Sequence, residues 1–242
     1  MKKRKILNTQ ISQITLTELT NLLLSKNNLN VAVCNANSLV RAKKNNTLQN
    51  ILNSFDICTP DGFPVALASR ILYKNNQVRV DGFKIFNNTL LQSQNSEITH
   101  YLYGNTPEVC EKIINKFKNK VKIIGYYCPP ILDYKELIYD NKIDEIIKLK
   151  PDIIWVSLGF PKQEQFIYEF RNKFNVDSNL VGVGFTFDWT AGTKRKAPEW
   201  LANIGLEWVL RLIQEPKRLF KRYLIDNTLF VYYFLKQIFD KN

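Results

Sequence analysis

A carboxylate fixed on a tight turn is the first group in this sequence that could do chemistry. Asp61 lies in the run TPDGFP at residues 59–64, where Pro60 and Gly62 predict a turn and Pro64 suits the first turn of a helix. Such a turn places Asp61 beside unpaired backbone N–H groups, which favour an ionised carboxylate. An ionised, fixed carboxylate can act as the general base toward a sugar hydroxyl. A helix cap or an Asx turn is the commoner role on local sequence alone.

A set of arginines near the C terminus could bind a phosphate group. Arg211, Arg218 and Arg222 share one face of a continuous helix, although Pro216 predicts a break between the first and the others. The planar guanidinium fork suits phosphate oxygens. A solvated basic face and a basic amphipathic segment lying on anionic lipid are the two alternatives that the composition leaves open.

Two more polar groups follow apolar runs. The loop GFPKQE at residues 159–164 follows the apolar run 152–158, so Lys162 could approach a phosphate and Gln163 could hydrogen-bond a sugar or uracil edge. An ordinary strand-to-helix turn explains this loop equally well. Asp188 stands at the end of the next apolar run and is the alternative general base.

Several motifs that would indicate a cofactor are missing from the sequence. It contains no D-x-D motif, no G-x-G-x-x-G fingerprint and no phosphate-binding P-loop. The four cysteines and the single His100 show no metal-ligand spacing. We therefore expect no metal and no other cofactor, so that side chains and backbone N–H groups would neutralise a bound diphosphate.

The alternation of apolar runs with helical patterns predicts an α/β fold. We expect a Rossmann-like, mostly parallel sheet with helices on both faces. The predicted strands include 30–35, 98–103, 121–127, 152–158 and 180–187, and one predicted helix covers 39–52. Ligands of such sheets bind beyond the carboxyl ends of the strands. We therefore expect one shared crevice at the polar positions that follow the strands, which are Asn35, Gly104, Pro129, Gly159 and Asp188.

Composition divides the 242-residue chain in two. Residues 1–193 carry the α/β pattern and form the predicted catalytic core. Residues 194–242, the C-terminal segment, hold ten Lys or Arg against five Asp or Glu, with aromatic residues between them, and form a predicted helical appendage. The net charge of +12 indicates an anionic partner: a phosphate-bearing substrate, an anionic membrane or nucleic acid. No apolar run reaches the length of a membrane span, so we expect a protein that is soluble or lies on a membrane surface.

The chain resembles the WecG/TagA/CpsF glycosyltransferases from about Val31 to Phe230. The matched segments are NANSLV at 35–40, PDGFPV at 60–65, RVDG at 79–82, YG at 103–104, GYYCPP at 125–130, WVSLGFPKQE at 155–164, GVGFTFD at 182–188, AG at 191–192, GLEW at 205–208 and RLIQEPKR at 211–218. So many matches in one order make this resemblance specific.

The resemblance implies an inverting, metal-independent glycosyltransferase. Such enzymes move a sugar, typically N-acetylmannosamine or its uronic acid, from a UDP-sugar to an undecaprenyl-diphosphate-linked N-acetylglucosamine. Their products feed wall teichoic acid, enterobacterial common antigen, capsule or exopolysaccharide. UDP-glucose or a UDP-hexuronic acid is the alternative donor. A non-catalytic basic module that binds anionic lipid or nucleic acid is the alternative from another class.

The resemblance also implies a place in the cell. We expect a cytoplasmic protein attached peripherally to the inner face of the bacterial membrane, without a nucleic-acid partner and with a homo-oligomer left open. In this family the C-terminal segment helps membrane association and closes over the active site.

Roles of individual residues follow from the matched positions. The resemblance gives Asp61 the role of general base and Asn37 that of the active-site Asn. It gives catalytic roles as cations to Arg211, Arg218 and Arg222. We expect substrate contacts at a wider set of positions, which are Asn35, Arg79, Gly104, Tyr126, Pro130, Lys162, Gln163, Asp188 and Lys221.

Three positions depart from the family pattern. Asn35 replaces a common Thr, Lys84 stands where an Asp often follows the R-V-x-G motif, and Lys221 takes the place of an Arg. The last change loses the bidentate fork. These departures leave the identity of the donor sugar open.

Overall fold

A six-stranded parallel sheet forms the centre of the molecule. The computed structural model describes residues 1–240, apart from the side chains of Asn203, Arg218 and Arg222. The sheet strands are β3 (Asn30–Cys34), β4 (Ile57–Pro60), β5 (Thr99–Gly104), β6 (Lys122–Tyr127), β7 (Ile153–Ser157) and β8 (Asn179–Gly182), and they lie in the order β4-β3-β8-β7-β5-β6. Strands β1 (Lys2–Ile6) and β2 (Thr9–Gln13) pair separately as an antiparallel hairpin.

Helices connect the strands and continue beyond them to the C terminus. They are α1 (Leu16–Leu24), α2 (Ala36–Lys44), α3 (Asn46–Ser54), α4 (Phe63–Tyr73), α5 (Gly82–Gln92), α6 (Pro107–Phe117), α7 (Tyr134–Leu137), α8 (Lys142–Leu149), α9 (Lys162–Lys173), α10 (Thr186–Ala191), α11 (Glu199–Asn203), α12 (Glu207–Gln214) and α13 (Pro216–Phe239).

The sheet is covered on both faces, as the apolar runs predict. Successive residues of β7 belong to opposite core clusters: Ile154 packs with Phe166 of α9, whereas Trp155 packs with Phe86 of α5. Both faces of a strand are buried when helices lie on each side of a parallel sheet, and this explains why the strands read as continuous apolar runs. The predicted α/β class with a mostly parallel sheet is confirmed.

Two predicted elements were wrong in extent. The predicted helix 39–52 is two helices, because the side chain of Asn45 accepts a hydrogen bond from Leu48 N and starts α3. The predicted strand 180–187 ends at Gly182, because Gly184 takes a positive φ of 56° and the chain turns into α10. The hairpin β1-β2 was not predicted from the sequence.

The C-terminal segment folds back over the carboxyl edge of the sheet. The helix α13 packs on α2 and α12, and its Phe230 is buried in the same core cluster as Leu39. The predicted break at Pro216 is confirmed, since α12 ends at Gln214 and α13 begins at Pro216. Within residues 1–240, no helix is long and apolar enough to cross a membrane.

Candidate active site

A cavity of about 350 Å³ opens where the carboxyl ends of β3 and β4 meet the C-terminal segment. From the core it is lined by Asn35, Ala36, Asn37, Asp61, Gly62, Phe63, Pro64 and Arg79. From the C-terminal segment it is lined by Ala202, Gly205, Glu207, Trp208, Arg211, Tyr223, Asn227, Phe230 and Val231. We call this cavity the β3/β4 pocket. Charged groups and aromatic walls therefore converge at the sheet edge where ligands of such folds bind.

Asp61 reaches the β3/β4 pocket because β4 ends immediately before it. Its backbone N–H donates to Cys34 O at 2.8 Å, which extends the ladder between β3 and β4 by one residue. Gly62 follows with a φ of 80°, a left-handed conformation that suits glycine, and α4 then begins with Pro64 in its first turn. No side chain caps this helix. The capping role that local sequence favours for Asp61 is therefore not seen.

The protonation behaviour of Asp61 differs from the sequence-based expectation. The turn was expected to favour the ionised form, but burial raises the pKa of Asp61 from an ordinary 3.8 to about 6. Arg79 and Arg211 oppose this shift, whereas the negative charges of Asp81 and Glu207 add to it. The Asp61 side chain is 23% exposed, so most of its surface contacts protein and not water. A carboxylate with a pKa near 6 is a stronger base than an ordinary Asp and is still ionised at neutral pH.

Arg79 lies at the centre of a cluster of three carboxylates. Its Nη2 is 2.5 Å from Glu207 Oε2 and 3.4 Å from Asp81 Oδ2, and its Nε is 3.8 Å from Asp61 Oδ1. Val80 N donates to Pro60 O, which brings this segment to the end of β4. Burial acts to lower the pKa of Arg79, but the three carboxylates together hold that pKa above its ordinary value. Arg79 is therefore permanently charged, and protein carboxylates already compensate that charge.

Arg211 differs from Arg79 in that it forms no ion pair with a carboxylate of the described residues. Its guanidinium carbon lies 4.9 Å from the ring centre of Phe185 and 5.4 Å from that of Trp189. These ring contacts hold the guanidinium plane without consuming its N–H groups. Among the described residues, none accepts a hydrogen bond from the buried Arg211 Nε. Arg211 is thus better placed than Arg79 to meet an incoming anion.

Asn35 and Asn37 line the pocket from the first turn of α2. Asn35 caps the helix, since its Oδ1 accepts from Ser38 N and its backbone N–H donates to Ser38 Oγ. Asn37 is 7% exposed, and its Nδ2 donates to Asp226 of α13. Because a carboxylate only accepts hydrogen bonds, this contact fixes the orientation of the Asn37 amide.

The structure brings some of the predicted site residues together and separates others. Asn35, Asn37, Asp61, Arg79 and Arg211 all line the β3/β4 pocket. The expectation of one crevice shared by all the strand ends stays a prediction: of the positions expected there, only Asn35 is in the described lining of the β3/β4 pocket. The predicted positions outside the lining are Gly104, Tyr126, Pro130, Lys162, Gln163, Asp188 and Lys221. The side chains of Arg218 and Arg222 lie outside the described part of the chain.

Three of the predicted residues outside the pocket lining form hydrogen bonds elsewhere in the fold. Asp188 Oδ2 accepts from Asn105 Nδ2 at 2.8 Å, so the alternative base is engaged in tying α10 to the end of β5. Gln163 is 3% exposed and donates to Glu164 Oε1 at 2.9 Å. Tyr126 donates its hydroxyl to Glu111.

Glu207, Trp208, Tyr223 and Asp226 are site features for which the residue patterns gave no role. All four belong to the C-terminal segment. Glu207 pairs with Arg79 and Asp226 with Asn37 of the core, whereas Trp208 and Tyr223 contact each other, and no local spacing reveals these contacts. The GLEW motif at 205–208 was the available signal for Glu207 and Trp208. Gly205 explains part of that motif: it has a φ of 82°, and a Cβ there would lie 2.9 Å from a ring carbon of Phe63.

Comparison with known proteins shows the family to which this chain belongs. Residues 4–242 match the model of the Glycosyl transferase WecG/TagA/CpsF family. Two Bacillus relatives carry the name N-acetylglucosaminyldiphosphoundecaprenol N-acetyl-beta-D-mannosaminyltransferase. The relative from Bacillus subtilis (strain 168) is 30% identical over 191 residues, covering 78% of this chain and 72% of its own. The relative from Bacillus spizizenii (strain ATCC 23059 / NRRL B-14472 / W23) is 31% identical over 180 residues, covering 73% and 68%.

A third relative extends the comparison to another genus. A protein of the same name from Staphylococcus aureus (strain MW2) is 27% identical over 195 residues, covering 81% of this chain and 76% of its own. The family model spans both the sheet and the C-terminal segment, so the whole β3/β4 pocket lies within the match. This chain is a glycosyltransferase of the WecG/TagA/CpsF family.

Proposed function

We propose that this chain transfers N-acetylmannosamine from a UDP-sugar to an undecaprenyl-diphosphate-linked N-acetylglucosamine, in the synthesis of a cell-wall or surface polysaccharide. The names of the relatives supply the transferred sugar and the acceptor. The observation that carries the proposal is the placement of Asp61, a carboxylate with a raised pKa, in a pocket that also holds Arg211 with an unused donor.

The proposed reaction is a single inverting displacement. Asp61 accepts the proton of an acceptor hydroxyl, and that oxygen attacks the anomeric carbon of the donor. The bond between the anomeric carbon and the UDP oxygen breaks on the opposite face, and UDP leaves with the electron pair. Arg211 stabilises the negative charge that grows on the departing diphosphate. Arg218 and Arg222 of α13 are the further cations that we assign to the departing diphosphate.

We propose that the transfer is independent of a metal ion. The sequence has no D-x-D motif to hold a divalent cation on the diphosphate. The cationic residues of the C-terminal segment supply the positive charge instead. Release of UDP is therefore expected to be unchanged when a chelator is added, and loss of activity that a divalent cation restores would contradict this part.

A panel of UDP-sugars tests the proposed function. Each donor is incubated with a short-chain lipid diphosphate-linked N-acetylglucosamine, and released UDP is measured. We expect turnover with UDP-N-acetylmannosamine and much slower turnover with UDP-glucose or a UDP-hexuronic acid. Faster turnover with one of those donors would show that the transferred sugar is not N-acetylmannosamine. Absence of UDP release with every donor, together with salt-sensitive retention on DNA, would favour a basic binding module instead.

We further propose that the C-terminal segment rests on the inner face of the cytoplasmic membrane. Large apolar side chains on α11–α13 are exposed, among them Trp200, Ile213, Phe220, Leu224 and Phe239. The exposed Lys217 and Lys221 lie on the same helix as the last three. Apolar side chains next to lysines are typical of helices that lie in the interface of an anionic bilayer.

Vesicle binding tests this placement. We expect the wild-type chain to sediment with anionic vesicles and to remain in solution with zwitterionic ones. The double substitution Phe220→Ser and Leu224→Ser, which removes about 60% exposed side chains one turn apart, is expected to weaken binding to anionic vesicles at least ~10-fold. Leu149→Ser is the matched control, since Leu149 is 49% exposed on α8. Equal binding by the double variant and the control would contradict the placement.

A further inference from the structure

The Arg79 guanidinium is shared between the proposed base and a carboxylate of the C-terminal segment. Resting on the function proposed above, we propose that Glu207 is a positioning residue, whose carboxylate holds Arg79 away from Asp61. Asp61 is then free to accept a proton when the C-terminal segment is docked on the core. Closure of the pocket by the C-terminal segment is thereby coupled to the ability of Asp61 to accept a proton.

The distances around Arg79 support this role. The contact between Arg79 Nη2 and Glu207 Oε2 is a charge-assisted hydrogen bond of 2.5 Å, whereas the distance from Arg79 Nε to Asp61 Oδ1 is 3.8 Å. Among the described residues, none accepts a hydrogen bond from the buried Arg79 Nε. The guanidinium thus has unused capacity on the side of Asp61 but is bound on the side of Glu207.

Loss of Glu207 would change the partner of Arg79. The Arg79 side chain is only 14% exposed, so its guanidinium cannot exchange Glu207 for bulk water without moving. Two carboxylates would then remain beside it: Asp81 Oδ2, 3.4 Å from Nη2, and Asp61 Oδ1, 3.8 Å from the Nε that has no acceptor among the described residues. A carboxylate that forms a direct ion pair with arginine is a weaker base. Asp81 is held at the start of α5 by the hydrogen bond from Lys84 N to its Oδ1, so the change that affects the base is a shift of Arg79 that brings its Nε to Asp61.

The charged and titratable groups that influence Asp61 come from three parts of the fold. They are Cys34 of β3, Arg79 and Asp81 of the segment before α5, and Glu207 and Arg211 of α12. A hydrogen bond to Cys58 and burial raise the pKa of Cys34 well above its ordinary value, so this thiol is neutral. The C-terminal segment contributes two of these groups. Docking of the segment therefore brings Arg211, which lowers the pKa of Asp61 and weakens the base, and Glu207, which raises that pKa and strengthens it.

The sign of the effect on the base follows from the charges. Glu207 raises the pKa of Asp61, and Arg79 lowers it. Glu207→Gln removes the charge that raises the pKa of Asp61 and strengthens the contact with Arg79 that lowers it. Both changes move the acid limb of the rate profile, which is the fall in rate at low pH, to lower pH. Loss of a residue that only held the segment in place would also lower the pKa of Asp61 if it opened the pocket, so a variant that removes another contact between the segment and the core is needed as a control.

The experiment is the pH dependence of kcat for UDP release in three variants. For Glu207→Gln we expect the acid limb to move down by about half a pH unit or more, with a plateau ~3–10-fold lower because the base is weaker. Glu207→Asp keeps the charge, and its limb is expected within about 0.2 pH units of wild type. Glu199→Gln is the matched control, since it removes an exposed charge that pairs the C-terminal segment with Lys84 of the core. Its limb is expected to stay in place.

A second measurement keeps the test decisive if Glu207→Gln is too slow to assay. The carboxyl carbon of Asp61 is titrated by ¹³C NMR in wild type and in Glu207→Gln, and its signal is assigned by its absence from Asp61→Asn. An unmoved or upward-moved limb or titration in Glu207→Gln would overturn the role of Glu207. Wild-type turnover by Asp61→Asn would instead overturn the proposed function, so the two failures are distinguishable.

Discussion

Replacing Asp61 by Asn is expected to lower kcat for UDP release by about 10³-fold while the fold is preserved. The amide has the shape of the carboxylate but cannot accept the proton of the acceptor hydroxyl. Asp61 lines the pocket, and Glu207, the other carboxylate of the described lining, is held by Arg79 at 2.5 Å. Turnover is measured with saturating donor and acceptor, and donor affinity is measured separately by calorimetry. A variant with the wild-type rate would contradict the assignment of Asp61 as the base.

The same variant has a built-in control for folding. The pKa of Asp61 in the folded chain is about 6, above its ordinary 3.8, so its contribution to stability is lost as the pH rises through about 6. Asp61→Asn removes this cost and is expected to stabilise the protein at pH 7.5 by up to about 3 kcal/mol, with the gain vanishing near pH 4. Urea unfolding at the two pH values measures the difference. An inactive but more stable variant separates loss of chemistry from loss of structure.

Arg211→Ala is expected to lower kcat/KM by about 10²–10³-fold, because a preorganised cation facing a departing diphosphate contributes several kcal/mol to the transition state. Arg79 cannot compensate, since the neighbouring carboxylates of the protein already neutralise its charge. Arg211 also lowers the pKa of Asp61, so its removal is expected to move the acid limb of the rate profile to higher pH. This shift is opposite in sign to the one expected for Glu207→Gln.

Two further variants make the Arg211 result specific. Arg211→Lys keeps the charge but loses the planar fork that rests on Phe185 and Trp189, so an intermediate loss is expected. Lys236→Ala removes an exposed positive charge of α13, outside the lining of the pocket, and is expected to keep wild-type kinetics. A similar loss for Lys236→Ala and Arg211→Ala would show that net charge, and not the position of Arg211, matters.

The layers of the fold follow from local patterns in the sequence, but several boundaries do not. The apolar run of β7 and the Pro107 start of α6 are local signals, and both elements are present. The break at Asn45 depends on its side chain, which accepts a hydrogen bond from Leu48 N, a role that a polar residue within a helical pattern does not reveal. The hairpin β1-β2 turns at Leu7 and Asn8 with positive φ values, without the usual Asn-Gly or Gly pair.

Apart from Arg211, the residues that line the candidate site could be predicted from the sequence only on the side that the core supplies. Asn35, Asn37 and Asp61 follow strands, and parallel topology brings strand ends together. The partners from the C-terminal segment depend on how α12 and α13 return to the sheet, and no spacing encodes that path. The ion pair of Glu207 with Arg79 and the hydrogen bond of Asn37 with Asp226 both cross this boundary. Burial of Asp61, which determines its pKa, depends on the same closure.

The pH dependence of kcat for UDP release by the wild-type chain tests the central claim most directly. The diphosphate of a UDP-sugar does not titrate near pH 6, so an acid limb there reports on the protein. With Asp61 as the base, the rate is expected to be flat above pH 7 and to fall about tenfold per unit well below pH 6. The limb should vanish from the residual rate of Asp61→Asn. A wild-type rate that stays constant from pH 5 to pH 8 would contradict the claim.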